Sequence, residues 1–187
     1  MKIIHNLDCK NKKIIVRADL NVPVFEDKIM DHSRIYSILP TLEKLTKNKN
    51  KVFLIAHFGR PKGEVNKKFS IEFLCPELKR ILNLNNIHFL DNCEQNSIEK
   101  KITEMNFGEI CLLENIRFNT AEEKNDLNFS KLLASCFDIY INDAFSASHR
   151  NHASITGITN YLPSYAGFSF SKEIENLDKF LENSNKP

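Results

Sequence analysis

Val52-Phe53-Leu54-Ile55-Ala56-His57 is a short apolar run that ends in a histidine and continues into Phe58-Gly59-Arg60-Pro61. Similar runs occupy residues 110–113 and 139–142. Short, nearly unbroken apolar runs are typical of strands that are buried on both faces of a parallel sheet. The three runs therefore predict the central strands of such a sheet.

Amphipathic segments with a helical period separate these runs along the chain. The predicted strands cover residues 13–20, 52–57, 87–90, 110–113 and 139–142, and the predicted helices cover residues 33–47, 73–82, 97–105, 128–136 and 171–181. Strands that alternate with helices of this length indicate right-handed crossovers. The sequence thus predicts a single-domain α/β fold, in which helices cover both faces of a doubly wound parallel sheet in a Rossmann-like three-layer arrangement.

The composition is that of a soluble globular protein. The 187 residues include 26 Lys and Arg against 24 Asp and Glu, and 42% are hydrophobic. A net charge of +2 with mixed signs predicts neither nucleic acid nor a membrane surface as the partner. No apolar stretch approaches the roughly 18 residues that span a bilayer, and no leader pattern is present. The expected location is the cytoplasm.

The cysteines and histidines do not form a recognisable metal-binding pattern. The five cysteines are scattered and never stand in a C-x-x-C pair, so neither a disulfide framework nor a zinc site is predicted. His149 and His152 are near enough in sequence to share a metal, but no third ligand has suitable spacing. No metal site is expected.

Polar and cationic side chains follow four of the predicted strands. In an open α/β sheet, ligands bind outside the carboxyl ends of the strands. At the carboxyl end of the first predicted strand, the period of two places Arg17, Asp19 and Asn21 on one side of the chain and Ile14, Val16, Ala18 and Leu20 on the other. Four strands therefore deliver polar or cationic groups to one edge of the sheet, in the segments 17–23, 56–61, 114–118 and 142–150.

Arginine is rare in this chain, with only six among the 26 basic residues. Arg80 lies in a predicted helix, and the other five are Arg17, Arg34, Arg60, Arg117 and Arg150. A planar guanidinium at a strand end suits a phosphate or a carboxylate. The alternative is that these arginines brace loops by pairing with acids, for which the candidates are Asp19, Asp143, Glu114 and Glu122. Because Arg17 lies inside a strand, it is the one expected to be structural.

Six sequence blocks resemble the N-terminal half of the phosphoglycerate kinase family, in family order and approximate spacing. They are Arg17-Ala18-Asp19-Leu20-Asn21-Val22-Pro23, Asp31-His32-Ser33-Arg34-Ile35, Ala56-His57-Phe58-Gly59-Arg60-Pro61-Lys62-Gly63, Leu113-Glu114-Asn115-Ile116-Arg117-Phe118, Glu122-Glu123-Lys124-Asn125-Asp126 and Asn142-Asp143-Ala144-Phe145. The resemblance extends from about Asp8 to the end of the chain. Single blocks would mean little, whereas several in order are specific.

The resemblance implies a domain that binds 3-phosphoglycerate. Asp19 and Asn21 would contact the hydroxyl end of the substrate, and Arg34 would be the catalytic residue nearest the carboxylate and the transferred phosphoryl group. The substrate phosphate would be held by His57, Arg60, Arg117 and Arg150, and Gly59 would complete the substrate-binding set. The implied reaction is reversible phosphoryl transfer between ATP and 3-phosphoglycerate, which gives 1,3-bisphosphoglycerate in glycolysis.

The family relationship also implies partners for this chain. Mg-ATP or Mg-ADP would bind a second, nucleotide-binding domain, in cis or in trans, since this sequence contains no phosphate-loop signature and only five glycines. The expected boundaries are a substrate domain at residues 1–182 and the start of an interdomain hinge at residues 183–187, with the nucleotide domain absent. The chain alone is expected to be a monomer without turnover. The alternative function is a truncated, non-catalytic remnant or a binding module for anionic metabolites.

One loop departs from the family pattern. Where the family usually reads Asp-Ala-Phe-Gly-Thr-Ala-His-Arg-Ala-His, this chain has Ser146, Ala147, Ser148 and Asn151 at the variable positions. A serine at position 146 cannot adopt positive φ angles as freely as a glycine does. The loop that presents Arg150 is therefore expected to differ from that of the family.

Overall fold

The computed structural model describes residues 2–26 and 28–184. Within these residues the strands are β1 Lys13–Ala18, β2 Val24–Phe25, β3 Lys28–Ile29, β4 Lys51–Ile55, β5 Ile87–Leu90, β6 Ile110–Leu113, β7 Ile139–Asp143 and β8 Ser164–Ala166. The helices are α1 Ser33–Lys47, α2 Leu74–Leu82, α3 Gln95–Glu104, α4 Thr120–Glu123, α5 Leu127–Ser135 and α6 Phe168–Ser184.

Six of the strands form one parallel sheet in the order β5-β6-β4-β1-β7-β8, and β2 pairs with β3 in a separate antiparallel hairpin. Ile14 and Ile15 pair with residues of both β4 and β7, so β1 lies at the centre of the sheet. The central strands are buried on both faces, as their apolar runs predict. The six-stranded parallel sheet and its helices confirm the three-layer α/β fold.

Alternate residues of β1 point to opposite faces of the sheet, and each face has its own core. Ile14 and Val16 belong to one core, with Ile35, Ile38 and Leu42 of α1 and with Leu74 and Leu78 of α2. Ile15 belongs to the other core, with Ile98 of α3 and Leu133 of α5. The period-of-two assignment for β1 is confirmed, because Ile14, Val16, Ala18 and Leu20 share one core. Arg17 therefore points to the α3/α5 face of the sheet.

Most predicted boundaries agree with the structure. Strands 87–90 and 110–113 and helix 33–47 match β5, β6 and α1 at both ends. The first strand was predicted to reach residue 20, but β1 ends at Ala18, because the Val22 N–H bonds to the Leu20 carbonyl 2.8 Å away and turns the chain out of the sheet. The predicted strand 52–57 is shorter at its carboxyl end, where β4 stops at Ile55.

The sequence prediction omitted the short elements and the true start of the last helix. β8 has three residues after a proline, pairs with β7 and forms an isolated parallel bridge between Ala166 and Ile3, and its sequence contains no apolar run. Helix α6 begins at Phe168, before the predicted residue 171, and the Asp143 carboxylate accepts the Phe170 N–H at 2.9 Å near its first turn. The predicted boundary at residue 183 falls inside α6 and stays a prediction; residues 185–187 lie outside the described residues.

Candidate functional site

Loops at the carboxyl ends of β1, β4 and β7, together with the first turn of α1, surround a cleft of about 190 Å³. From β1 the chain passes to β4 on one side, and from β6 it crosses to β7 on the other side of β1. The cleft therefore lies where the strand order reverses, which is the place where doubly wound sheets bind ligands. It is lined by Asp19, Asn21, Arg34, His57, Ser146, Ala147 and Arg150.

Five of the eight predicted site residues line this cleft: Asp19, Asn21, Arg34, His57 and Arg150. Two more are connected to it by hydrogen bonds. The Gly59 N–H donates to Asn21 Oδ1 at 3.0 Å, and the Gly59 carbonyl accepts from Arg117 Nη1 at 3.0 Å. Arg60 is exposed and is not among the residues that line the cleft.

Asp19 connects helix α1 with the loop that follows β7. Its Oδ2 accepts a hydrogen bond from Arg34 Nη1 and another from Ser146 Oγ, which is 2.5 Å away. The Arg34 side chain is 40% exposed, so this ion pair adds at most about 1 kcal/mol to stability. Such a weak pair leaves Arg34 able to exchange Asp19 for a bound anion.

Arg117 is buried beside the cleft, with only 3% of its side chain exposed. Nε lies 3.2 Å from Glu123 Oε1 without hydrogen-bond geometry, and neither Nε nor Nη2 has a hydrogen-bond partner within the described residues. Burial, with a contribution from Arg150, lowers the pKa of Arg117. Buried donors without partners are rare in proteins, and a bound oxyanion would satisfy both of these.

His57 is buried at the inner end of β4, and Arg17 Nη2 lies 2.9 Å from its Nδ1. Burial, and then the charges of Arg17, Arg117 and Arg150, lower the pKa of His57 from 6.5 to about 2. The imidazole is therefore neutral at physiological pH. It serves the cleft as a hydrogen-bonding group, and the arginines supply the positive charge.

The depressed pKa of His57 makes stability depend on pH. Below pH 6.5 the unfolded chain binds a proton at this residue and the folded chain does not, down to about pH 2. His57 therefore does not reduce the free energy of unfolding above pH 6.5, and it lowers that free energy progressively as the pH falls below 6.5. We expect the free energy of unfolding to drop by about 2 kcal/mol between pH 7 and pH 5 on account of His57 alone.

Urea unfolding of the parent and of His57→Gln at both pH values measures this contribution. The substitution removes the titrating group, so the variant should show a smaller drop in the free energy of unfolding than the parent. Equal drops in the two proteins would contradict the assignment. The pKa of His152 is also lowered, mainly by burial, so the variant should keep some acid sensitivity.

Sequence reasoning did not select all of the residues that build the cleft. Ser146 and Ala147 were noted only as departures from the family pattern, although both line the cleft. Their position directly after β7 was the available signal. Ser154 was also missed; it is fully buried in a single π-helical turn, Ala153–Gly157, and nothing in its local sequence marks it. Such turns occur frequently at functional sites.

The charges of the cleft favour a small oxyanion. Arg34 and Arg150 line it, Arg117 is connected to it, and Asp19 is already engaged by Arg34 and Ser146. A larger cavity of about 540 Å³ lies at the ends of β5 and β6, among side chains that include Val65, Phe129 and Leu133. No Lys, Arg or His lines this second cavity among the described residues, so it lacks the charge to hold an anion.

Residues 2–26 and 28–184 contain no group of three or more His, Cys, Asp or Glu side chains arranged to hold a metal ion. In the same part of the chain, no helix combines the length and the apolar character needed to cross a bilayer.

Comparison with known proteins identifies one family. The family model described as phosphoglycerate kinase matches residues 4–187. A phosphoglycerate kinase from Wolbachia sp. subsp. Drosophila simulans (strain wRi) is 44% identical over 184 residues, which are 98% of this chain and 46% of that protein. The phosphoglycerate kinase of Coprothermobacter proteolyticus is 44% identical over 188 residues, which cover 100% of this chain and 48% of that protein.

Solved structures show the same relationship. The phosphoglycerate kinase of Coxiella burnetii has a TM-score of 0.85 and 33% identity, over 98% of this chain and 46% of that one. The enzyme from Pyrococcus horikoshii OT3 has a TM-score of 0.86 and 29% identity, over 96% and 45% of the two chains. The chain therefore spans about half the length of the relatives it matches.

Proposed function

The chain belongs to the phosphoglycerate kinase family, and we propose that it is the half of such an enzyme that binds 3-phosphoglycerate. The observation that carries this proposal is the cleft at the strand-order reversal, where cations and hydrogen-bond donors from four loops converge. A three-carbon acid with one carboxylate and one phosphate needs several cations close together. Arg34, Arg117 and Arg150 supply them.

We assign each residue a role in binding. Asp19 and Asn21 face the hydroxyl end of the substrate, and Arg34 lies nearest the carboxylate. The phosphate is held by His57, Arg60, Arg117 and Arg150, and Gly59 completes the substrate-binding set through its hydrogen bonds to Asn21 and Arg117. The unpartnered Nε and Nη2 of Arg117 support this assignment, since phosphate oxygens are matched acceptors for a guanidinium fork.

The proposed reaction is reversible phosphoryl transfer between ATP and 3-phosphoglycerate, which gives 1,3-bisphosphoglycerate in glycolysis. The attacking carboxylate is already ionised near neutral pH, so the chain need not supply a general base. Phosphoryl transfer asks the protein mainly for positioning and charge stabilisation. Arg34 performs both: it releases Asp19, holds the carboxylate and neutralises charge on the transferred group.

We place Mg-ATP on a second, nucleotide-binding half that joins this chain in cis or in trans. Residues 2–26 and 28–184 offer no cluster of acidic or histidine ligands for the metal, and the glycines do not form a phosphate-cradling loop. That part of the chain therefore does not fit the nucleotide. A non-catalytic module for anionic metabolites is the second candidate, since the cations of the cleft also suit other small oxyanions.

Calorimetric titration of the 187-residue chain with 3-phosphoglycerate at low salt tests the proposal. We expect a dissociation constant of about 10 μM to 1 mM. Arg150→Ala should weaken binding about tenfold or more, since it removes hydrogen bonds to a charged group. Arg80→Ala is the matched control and should bind normally, because Arg80 is exposed and pairs with Glu77 on α2.

The outcomes distinguish the candidate functions. Absence of heat from a folded chain, or equal loss in both variants, would contradict a substrate site in this cleft. Addition of ATP to the same samples should give no product until a nucleotide-binding half from a relative is supplied. Binding that never leads to turnover with such a half would favour the non-catalytic module.

The setting of the protein is also proposed. Each of the five cysteines is free, which supports a reducing compartment such as the cytoplasm. We propose that the chain is a monomer, with a substrate domain at residues 1–182 and a hinge that begins at residue 183. Light scattering of the purified chain measures the oligomeric state.

A further inference from the structure

A buried chain of hydrogen bonds runs from the cleft into the protein, through four side chains that lie far apart in sequence. Arg17 Nη2 lies 2.9 Å from His57 Nδ1, and Arg17 Nε donates to Ser154 Oγ at 3.1 Å. Ser154 Oγ in turn donates to Glu122 Oε1 at 2.6 Å. Arg17 is 1% exposed, and Ser154 and Glu122 are 0% exposed. We call this set the buried relay.

The direction of each bond in the relay is fixed by chemistry. A guanidinium can only donate, and a carboxylate can only accept. The Ser154 hydroxyl therefore accepts from Arg17 and donates to Glu122. By the same rule, His57 Nδ1 can only accept from Arg17. A neutral imidazole that accepts at Nδ1 carries its proton at Nε2.

Further contacts hold the relay in place. The Ser154 N–H donates to Glu122 Oε2 at 2.8 Å, so both carboxylate oxygens are occupied by one residue. Tyr140 Oη donates to the Ser154 carbonyl at 2.8 Å. Arg17 Nη1 donates to the Ala18 carbonyl at 2.6 Å, which engages a third nitrogen of the guanidinium. Arg17 thus has little freedom to leave His57.

We propose that Arg17 is a positioning residue, held by Ser154 and Glu122, which locks His57 as the Nε2–H tautomer and so presents a neutral N–H donor to the ligand oxyanion. The identity of that ligand rests on the proposed function, whereas the tautomer does not. The role differs from that of Arg34 or Arg150, since Arg17 acts through His57 and is not among the residues lining the cleft.

The surroundings of His57 show why such a lock is useful. Arg17, Arg117, Arg150 and His152 all act to lower its pKa. In this positive environment the imidazole stays neutral and exists as one of two tautomers. The tautomer protonated at Nδ1 would turn the lone pair of Nε2 toward the anion and repel it. A fixed donor at Nε2 keeps the hydrogen bond available across the physiological pH range.

Nitrogen NMR of the chain labelled with ¹⁵N-histidine tests the lock without any ligand. His57→Gln identifies the His57 signals by their loss. In the parent we expect a pyridine-type Nδ1 and a pyrrole-type Nε2 that do not titrate between pH 5 and pH 8. A protonated Nδ1, or titration within that range, would overturn the proposal whatever the binding result.

Ser154→Ala tests whether the relay maintains the lock, and Ser130→Ala is its matched control. Ser130 is equally buried, but its hydroxyl donates to the carbonyl of Asp126, the residue before α5, and takes no part in the relay. We expect Ser154→Ala to give a mixture of His57 tautomers and about three- to tenfold weaker binding of 3-phosphoglycerate, with Ser130→Ala like the parent.

The two proposals fail in different ways. Parent-like spectra and affinity for Ser154→Ala would overturn the part of Ser154 in the relay. The expected tautomer in the parent, with no binding of 3-phosphoglycerate by any variant, would instead refute the proposed substrate and leave the positioning of His57 intact.

Discussion

Replacing Glu122 with alanine is expected to lower the free energy of unfolding by about 3–5 kcal/mol, the cost of breaking a buried charge network on one side. Glu122 is 0% exposed and accepts both the N–H and the hydroxyl of Ser154. Without it, two buried donors lose their acceptor, and the buried guanidinium of Arg17 loses a nearby opposite charge. Burial raises the pKa of Glu122, and Arg17 opposes that rise.

Urea unfolding followed by circular dichroism measures the loss. Glu123→Ala is the matched control, since its side chain is 46% exposed and its ion pair with Arg117 lacks hydrogen-bond geometry. That change should alter the free energy of unfolding by no more than about 0.5 kcal/mol. If Glu122→Ala lowered the free energy of unfolding by less than about 1 kcal/mol, the Glu122 carboxylate would not be compensating the buried charge of Arg17.

The fold could be predicted where burial alone decides the structure. Residues 110–113 form a strand buried on both faces, so their sequence is a simple apolar run with clear ends. β8 could not be found in this way, because an edge strand of three residues forms only against a neighbour that is already in place. The β2–β3 hairpin has two residues in each strand and leaves no periodic signal.

The candidate site was also predictable only in part. Strand-end positions brought Asp19, Asn21 and His57 together, because the carboxyl ends of parallel strands share one edge of the sheet. Contacts between distant side chains were beyond the sequence. Arg17 was expected to be structural, and its burial agrees with that, but its hydrogen bonds go to Ser154 and His57 and not directly to a carboxylate.

The pairing of arginines with acids, offered as the alternative to a ligand site, is present at two positions. Arg34 pairs with Asp19, and Arg117 lies near Glu123. Neither pair fully occupies its guanidinium. An arginine that merely braced a loop would have its donors satisfied within the protein. Arg117 is therefore the more informative of the two, because two of its donors have no hydrogen-bond partner.

Arg117→Met is therefore expected to weaken binding of 3-phosphoglycerate by about 10- to 100-fold, while the free energy of unfolding stays constant or rises by about 1 kcal/mol. A buried cation with two nitrogens that make no hydrogen bond costs desolvation energy in the free protein, and Glu123, 3.2 Å from Nε, offsets only part of that cost. Methionine keeps an apolar stem of similar length and removes that cost, at the loss of one hydrogen bond to the Gly59 carbonyl.

A loss of affinity without a loss of stability distinguishes a ligand-binding arginine from one that braces a loop. Replacing a bracing arginine would lower the free energy of unfolding of the protein. Calorimetric titration and urea unfolding of Arg117→Met give both values, and Arg80→Met provides an exposed arginine for comparison. Unchanged affinity together with a loss of more than about 2 kcal/mol in stability would return Arg117 to a structural role. Weaker binding together with unchanged or higher stability would show that the unsatisfied donors of Arg117 serve ligand binding and lower the stability of the free protein.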